Sequence, residues 1–333
     1  MPNAEFGMQN ESPQPEAPAR RPVAFIQVDL DGLWAVRRSY GGRGAPEQDD
    51  PVYSHALPAL LDLFDGLTIK ATFFIVGADA QVAWKRRQLE AVVQRGHELA
   101  NHSMTHNLEL GRLDAAPLES EVVGCQNMLK ESFGVEARGF RAPGYGFSQP
   151  LLETLGQLDF WYDASLFPTP WGAVLRWMGR RISATPRREK AQYGSRQDWR
   201  APLNPYRLDP HRKSKIENPK SKLWEIPVSV TRRLRFPFHG GVGFLLGKRW
   251  VERAIRSLQR GEGFLNYLIH GMDLVDGRKW EVTPSRMGRW LFAGGTRERL
   301  EFFTEICRKI TGRFEIRRTD QWVEQARTGA ENH

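Results

Sequence analysis

The feature that most constrains the fold is an alternation of strand-like and helix-like segments in the first half of the chain. Val23–Leu30 is a compact, mostly apolar run typical of a buried strand, and a helical pattern follows at 54–66. Segments 69–76 and 97–101 repeat the strand pattern, and a second helical pattern lies between them. Strands that alternate with helices in this way are typical of a parallel α/β fold.

The same alternation continues to the C-terminus with one interruption. Further strands are predicted at 137–142, 160–164, 223–230, 264–270 and 313–316, and further helices at 114–133, 249–260, 297–310 and from Thr319 onwards. Residues 34–51 are rich in glycine and charge and are predicted to form a loop. Periodicity fades at about 168–222, where proline, arginine and lysine accumulate, so we interpret this segment as a basic insertion. The pattern indicates neither an internal repeat nor a second independent core.

Polar side chains recur where the predicted strands end. They are Asp29 and Asp31 at the end of the first strand, and then His102, His106, Arg141, Asp163 and His270 at later strand ends. The carboxyl ends of parallel strands meet at one face of an α/β barrel, and catalytic groups lie on that face. We therefore expect these side chains to share one site.

Two histidines of this set have a spacing that suits a metal ion. His102 and His106 are four residues apart, so on one turn of helix they would face the same way. Asp29 and Asp31 alternate along a strand and point to the same side, so a carboxylate can join the two imidazoles as a third ligand. The alternative interpretation is a pair of surface or capping histidines in a loop.

Taken in order, these segments resemble the motifs of the polysaccharide deacetylase family, the NodB homology group of carbohydrate esterase family 4. The resemblance covers roughly residues 22–318. Residues 28–32, Val-Asp-Leu-Asp-Gly, resemble the first motif in an Asp-x-Asp form, and His-Ser-Met-Thr-His at 102–106 matches the second. The third, fourth and fifth motifs are resembled by Arg-Ala-Pro-Gly-Tyr-Gly at 141–146, Tyr-Asp-Ala-Ser at 162–165 and Leu-Ile-His at 268–270.

The resemblance implies a distorted, incomplete (β/α) TIM-like barrel at 22–328, with a disordered lead-in at 1–21, a disordered tail at 329–333 and the insertion inside the barrel. It also implies a divalent metal ion, with Zn²⁺ as the first expectation and other divalent ions as alternatives. The implied metal ligands are Asp31, His102 and His106.

The family also implies roles for the remaining strand-end residues. Asp29 would be the base that activates a water molecule, and His270 would be the acid that protonates the leaving amine. Arg141 and Asp163 would orient or tune this acid and base. The Gly-rich turn at Tyr145 would present a backbone N–H to the oxyanion.

The expected reaction is removal of an N-acyl group, N-acetyl first, from an amino sugar in a polysaccharide, a cell-wall precursor or a lipid-linked glycan. The Asp-x-Asp form resembles a branch of the family that acts on small cyclic amides or ureides, so hydrolysis of another non-peptide C–N bond, in a formamide or a cyclic imide, is the alternative. A non-catalytic barrel that binds a glycan or a lipid is a third interpretation. The sequence leaves the oligomeric state open.

Charge and composition indicate where such a protein works. Forty-eight Lys and Arg against 39 Asp and Glu give a net charge of +9, which favours anionic partners. Residues 171–182 combine Trp, Leu and Met with arginines at near-helical spacing, as in a helix that lies on an anionic membrane; the alternative is a helix that covers the barrel. No nucleic-acid-binding motif is present, so no nucleic acid partner is expected. A polar N-terminus without an apolar signal core and only two cysteines predict a cytoplasmic protein, with peripheral contact at the inner membrane face as an option.

Overall fold

The first strand, β1 (Val23–Leu30), pairs with a neighbouring strand on each side, and nearly all of its side chains are buried. The computed structural model describes residues 21–182, 196–208, 222–260, 263–283, 285–286 and 292–329. Central parallel strands are covered on both faces, which explains why the apolar run in β1 is continuous rather than alternating. Its sequence limits agree with the prediction to the residue.

Eight further strands are present in the described part of the chain. They are β2 (Thr72–Ile75), β3 (Glu98–Asn101), β4 (Gly139–Phe140), β5 (Tyr162–Asp163), β6 (Tyr206–Arg207), β7 (Trp224–Glu225), β8 (Phe264–His270) and β9 (Glu315–Ile316). The sheet order is β6-β7-β5-β4-β3-β2-β1-β8, and β9 pairs with the start of β1. Every strand pair is parallel except β6 with β7. The carboxyl ends of β1 to β5, β7 and β8 therefore face the same side.

Helices connect these strands. They are α1 (Leu33–Ser39), α2 (Leu57–Gly66), α3 (Gly77–Gln81), α4 (Ala83–Gln94), α5 (Ala115–Phe133), α6 (Gln149–Gln157), α7 (Gly172–Ile182), α8 (Gly240–Leu246), α9 (Lys248–Gln259), α10 (Thr296–Thr311) and α11 (Thr319–Thr328). The largest buried cluster packs α2, α4, α5, α9 and α10 against the outer face of β1, β2 and β8. No helix in the described ranges is long and apolar enough to cross a membrane.

An extended segment at 226–239 spans the gap between the two edges of the sheet. Asn266 in β8 donates its backbone N–H to the Ser229 hydroxyl at 2.8 Å, and its side-chain amide donates to the Pro227 carbonyl at 3.1 Å. A further bridge joins His239 to Leu268. The sheet thus curls towards a barrel that is completed by irregular backbone rather than by a full set of strands.

One sequence prediction needs correction, and others lie outside the described residues. The loop predicted at 34–51 begins instead as α1, whose buried Leu33, Trp34 and Ala35 are too few to show a helical period. The insertion at about 168–222 contains α7, a 3-10 turn (Arg196–Arg200) and β6. The described ranges leave out 1–20, 183–195, 209–221 and 330–333, so most of the lead-in, much of the insertion and the tail stay predictions.

Candidate active site

The ends of neighbouring strands bring the predicted site residues together. Asp29 lies opposite His270 of β8 on one side and opposite Phe74 of β2 on the other. Asp31 follows one residue after β1, and His102 follows one residue after β3. Because all three strands run parallel, their last residues reach one face, as the sequence pattern predicted.

Asp31, His102 and His106 form a compact cluster at this face. The Oδ1 atom of Asp31 lies 3.1 Å from Nε2 of His102 and 3.3 Å from Nε2 of His106. One ligand atom from each residue lies within 4.8 Å of the others. All three side chains are buried. Two imidazole nitrogens and one carboxylate oxygen are a common ligand set for a divalent transition metal.

The chemical state of these groups fits a metal ion. The Nδ1 atom of His102 lies 2.7 Å from the Arg141 carbonyl, which accepts its proton and leaves the Nε2 lone pair directed at the cluster. Asp31 Oδ1 is buried and has no hydrogen-bond donor among the described residues. Burial opposes the charge on Asp31, but His106 and His102 outweigh it and hold the pKa of Asp31 well below its usual range. A buried carboxylate between two imidazoles is the arrangement that a cation would complete.

The histidine segment lies in the loop that follows β3, as its position beyond the predicted third strand indicates, and not on a helical turn. Ser103 and His106 both adopt positive φ values, 63° and 52°, which turn the chain back and bring the two rings to 5.3 Å between centroids. The Ser103 hydroxyl accepts the His106 N–H at 3.1 Å, and the Asn101 side chain accepts the Ser103 N–H at 2.9 Å. These local hydrogen bonds stabilise a conformation that non-glycine residues seldom adopt.

Two helices fix the loop from outside. Backbone N–H groups at the start of α3 donate to the Ser103 and Met104 carbonyls at 3.0 and 2.8 Å. Glu121 of α5 accepts the Thr105 N–H at 2.9 Å and the Thr105 hydroxyl at 2.5 Å. A Cβ atom at Gly77 would come within 2.4 Å of the Met104 sulfur, so only glycine permits this approach.

Asp29 is held by Arg141, which is fully buried. Arg141 Nη1 donates to Asp29 Oδ1 at 2.6 Å, its Nε donates to the Ala164 carbonyl at 2.8 Å, and its Nη2 donates to Gln27. The guanidinium also lies 4.2 Å from the centroid of the Phe74 ring. The predicted pairing of Arg141 with the base is therefore present, and it leaves Asp29 Oδ2 directed towards His270.

His270 is surrounded by acceptors on both sides of its ring. Its Nε2 lies 3.7 Å from Asp29 Oδ2 and 3.3 Å from the Tyr145 hydroxyl. Its Nδ1 lies 3.7 Å from Asp273 Oδ2, and the same oxygen accepts the His270 backbone N–H at 2.9 Å. Burial lowers the pKa of His270, but Asp273, Asp29 and Asp31 outweigh burial and raise it to about 9. The imidazole is thus protonated at neutral pH.

The structure changes the roles predicted for Asp163 and Tyr145. Asp163 contacts Ser165 at 2.5 Å, and Ser165 in turn accepts the Ala142 N–H, so Asp163 supports the Arg141 segment rather than His270. Burial raises the pKa of Asp163 to about 6, against hydrogen bonds and the charge of Arg141. The Tyr145 N–H donates to the Ala142 carbonyl at 3.1 Å, so it is the Tyr145 hydroxyl, and not its backbone, that faces the site.

Sequence reasoning missed Asp273 and the residues that hold the segment after Asp31. Asp273 is three residues after His270, a spacing at which a carboxylate can return to cap its own turn, and this was the available signal. Asp79 and Asp50 accept the N–H groups of Gly32 and Leu33 at 3.2 and 2.9 Å. No local sequence pattern links these positions.

The polysaccharide deacetylase family profile matches residues 48–162. This span contains His102, His106, Arg141 and Tyr145, whereas Asp29, Asp31, Asp163 and His270 lie outside it. A chitooligosaccharide deacetylase of Bradyrhizobium sp. (strain ANU 289) is 32% identical over 128 residues, which are 37% of this chain and 57% of the relative. A peptidoglycan deacetylase of Helicobacter pylori (strain ATCC 700392 / 26695) is 28% identical over 151 residues, 44% of this chain and 50% of the relative. The chain thus spans about half the length of these relatives.

The fold has a counterpart among solved structures. A crystal structure from Mycobacterium smegmatis, described provisionally as a polysaccharide deacetylase, matches with a TM-score of 0.56 and 16% identity over 95% of this chain and 93% of that one. This similarity confirms the predicted fold class, a distorted and incomplete (β/α) barrel. The family profile and the curated relatives show that the part of this chain containing His102, His106 and Arg141 is similar in sequence to polysaccharide deacetylases.

Proposed function

We propose that this protein is a metal-dependent hydrolase that removes an N-acetyl group from an amino sugar in a polysaccharide, a cell-wall precursor or a lipid-linked glycan. The observation that carries the proposal is the convergence of three groups at one end of the sheet. These are the Asp31–His102–His106 cluster, Asp29 held by Arg141, and His270 held by Asp273. The names of the two bacterial relatives support an N-acetylated amino sugar as the substrate class.

The chain's own residues supply the proton transfers. A divalent ion held by Asp31, His102 and His106, for which we propose Zn²⁺, would polarise the amide carbonyl and acidify a water molecule. Asp29 is the base in this scheme because Arg141 holds its Oδ1 and leaves Oδ2 available to take a proton. The Arg141 donors also prevent rotation of the carboxylate away from the cluster, so the base is oriented before the substrate binds.

His270 is the acid that protonates the leaving amine. Its raised pKa keeps it protonated at neutral pH, and Asp273 fixes the ring so that Nε2 faces Asp29. Asp29 Oδ2 and His270 Nε2 are 3.7 Å apart. After His270 has given its proton to the amine, the proton that Asp29 took from water can therefore return to His270 over a short distance. The Tyr145 hydroxyl, 3.3 Å from the same nitrogen, is placed to hydrogen bond with a substrate oxygen or with the leaving amine.

We also propose a cytoplasmic setting with peripheral contact at the inner membrane face through residues 171–182. Both cysteines are buried and free, which is compatible with a reducing compartment. In α7, Val174 and Trp177 expose their side chains to solvent, as an interfacial helix would. Fractionation of cells into cytosol and membranes would check this proposal.

The test of the catalytic proposal compares variants of the zinc-loaded protein on a substrate panel. The panel holds chitooligosaccharides, N-acetylated peptidoglycan fragments, a formamide and a cyclic imide, and acetate, formate or ring opening is measured. We expect acetate release from an N-acetyl amino sugar. Asp29→Asn should hydrolyse the substrate about 10²- to 10⁴-fold more slowly and should still bind zinc. His106→Ala should lose the zinc itself, measured by metal analysis.

His55→Ala is the matched control because His55 is exposed and lies outside the site. It should keep both zinc and activity. Full activity in Asp29→Asn would contradict the assigned base. Turnover of the formamide or cyclic imide alone would favour the other C–N hydrolase. Stabilisation by zinc with no turnover on the whole panel would favour a non-catalytic binding barrel.

A further inference from the structure

Five arginines surround one open concavity, and none of its lining residues belongs to the active site. Arg232 and Arg233 come from a turn within the segment at 226–239 that completes the barrel. Arg253, Arg256 and Arg260 come from α9 and the residue that caps it. Ser257 is the sixth lining residue, and the volume is about 870 Å³. We refer to these five arginines as the arginine surface.

Helical geometry explains why three of these side chains share one side of α9. They recur at intervals of three and four residues, so they stand above one another on the helix, while Val251, Ala254, Ile255 and Leu258 face the core. The sequence shows this amphipathic pattern, but only the fold places Arg232 and Arg233 beside it. Two separate segments therefore build one positive surface.

The charge on this surface is poorly balanced. All five arginines are exposed, and within the described ranges the one acid in ion-pair distance of any of them is Glu252, 3.5 Å from Arg256. Glu252 also pairs with Lys309 at 3.2 Å and lies 3.9 Å from Arg313. Its single charge is thus shared among three cations, and the arginine surface stays strongly positive.

An exposed apolar group lies beside the charge. Leu234 follows Arg233 directly and has 69% of its side chain exposed. The Leu234 carbonyl accepts a hydrogen bond from the Trp171 indole at 3.1 Å, which ties the turn to the start of α7. Trp177 of α7 is 51% exposed and carries Arg181 over its ring at 5.0 Å. Large apolar side chains exposed to this extent beside arginines are typical of a surface that binds a membrane interface.

The turn that carries Leu234 is firmly held. Val230 and Pro237 form an antiparallel bridge, and the Thr231 hydroxyl accepts the Phe236 backbone N–H at 3.0 Å. The Phe236 ring packs between Trp171 at 5.3 Å and Trp250 at 5.9 Å, so it links α7 to the start of α9. Leu234 and the arginine surface therefore belong to one preformed face.

We propose that this face docks the protein on an anionic lipid bilayer. The guanidinium groups contact headgroup phosphates, and Leu234 and Trp177 enter the interface beside them. The proposal extends the α7 contact above, which supplies Trp177, by adding the charge of the turn and α9, and it does not depend on the catalytic function. Nucleic acid fits less well, since phosphate contacts alone would leave Leu234 exposed to water.

Vesicle flotation tests the proposal on the full chain. Vesicles of phosphatidylcholine alone and vesicles that also contain about 30% phosphatidylglycerol serve as the neutral and the anionic surface. We expect co-flotation with the anionic vesicles only, and a loss of binding as salt rises from about 0.05 to 0.5 M. Arg253→Glu with Arg260→Glu should lower the partition coefficient at least ~25-fold, because each arginine near the surface contributes about fivefold.

Arg87→Glu with Arg297→Glu is the control, since it changes the net charge equally at exposed positions outside the face. It should bind nearly as well as the unmodified protein, and Leu234→Ser should weaken binding several-fold with no change of charge. Thermal unfolding of each variant checks that it is folded. Equal binding to neutral vesicles, an equal loss in both double variants, or retention by DNA without retention by vesicles would overturn the proposal.

Discussion

His270 depends on its neighbours for both its orientation and its charge. A histidine in a partly buried position would lose its proton more readily than in water, because burial disfavours the charged form. Here Asp273 and Asp29 face the two ring nitrogens, and their charges reverse that effect and raise the pKa to about 9. The neighbouring carboxylates, acting against burial, thus decide that this residue can serve as an acid near neutral pH.

Asp273→Asn should change the pH profile of the enzyme more than its stability. The amide keeps the size of the side chain and removes its charge, so the pKa of His270 should fall by about one to two units. Since the acid must be protonated, the alkaline limb of kcat, expected near pH 9 for the unmodified protein, should move down by the same amount. A pH series of kcat from 5 to 10 measures this shift. An unchanged alkaline limb would show that Asp273 does not tune the acid.

At the scale of elements, the segment after β1 is supported by a buried ionic cluster. Lys85 of α4 lies 2.7 Å from Asp50 and 2.6 Å from Asp79, with its side chain fully buried. Burial raises the pKa of Asp79 to about 6, and Lys85 opposes this rise. The two carboxylates accept the N–H groups of Gly32 and Leu33, directly after Asp31. The cluster therefore connects α4 to the backbone next to a predicted metal ligand.

Lys85→Met should weaken both the fold and the metal site. Removing one partner leaves two buried carboxylates without a cation, which costs about 3–5 kcal/mol in the free energy of unfolding. Protonation of Asp50 or Asp79 would then loosen the Gly32–Leu33 segment, and the zinc dissociation constant should rise about 10- to 100-fold. Urea unfolding and calorimetric zinc titration measure the two effects. Lys130→Met, at an exposed position on α5, is the control and should change neither quantity. If Lys85→Met bound zinc as tightly as the unmodified protein, the ionic cluster would not contribute to zinc binding.

At the scale of the whole molecule, a buried histidine links folding to pH. The His97 ring packs between Phe64 and Phe73, and its Nδ1 accepts the Ala71 N–H at 3.1 Å. Burial, followed by the charge of Lys70, lowers the pKa of His97 to about 4. In the unfolded chain the ordinary value is about 6.5. Between these values the unfolded state binds a proton that the native state excludes, so stability falls as pH falls through this window.

His97→Leu should flatten the acid side of the stability curve. For the unmodified protein, His97 alone should lower the free energy of unfolding by about 3 kcal/mol between pH 6.5 and 4. The variant lacks that dependence, although it is less stable at pH 7 because the Ala71 N–H loses its acceptor. Urea unfolding at several pH values for both proteins gives the difference, with His55→Leu as the exposed control. A difference that stays constant from pH 7 to pH 4.5 would contradict the prediction.

The sequence by itself determined most of the strands, the longer helices and the set of polar residues at the strand ends. Continuous apolar runs predict buried strands such as Val23–Leu30 and Phe264–His270, because burial on both faces leaves no alternation. Parallel strands deliver their ends to one face, so the convergence of Asp31, His102 and His106 also follows from the sequence. These inferences need only local periodicity and one topological rule.

Only the tertiary structure decided which residues hold these groups in place. The hydrogen bonds of Arg141 to Asp29, the packing of Lys85 between Asp50 and Asp79, and the arginine surface join residues from distant segments that no local pattern relates. The pKa of His270 has the same origin, since burial and the surrounding charges exist only once the chain is folded. The physical reason is that periodicity predicts which side of an element is buried, whereas contacts between elements depend on how the whole barrel packs.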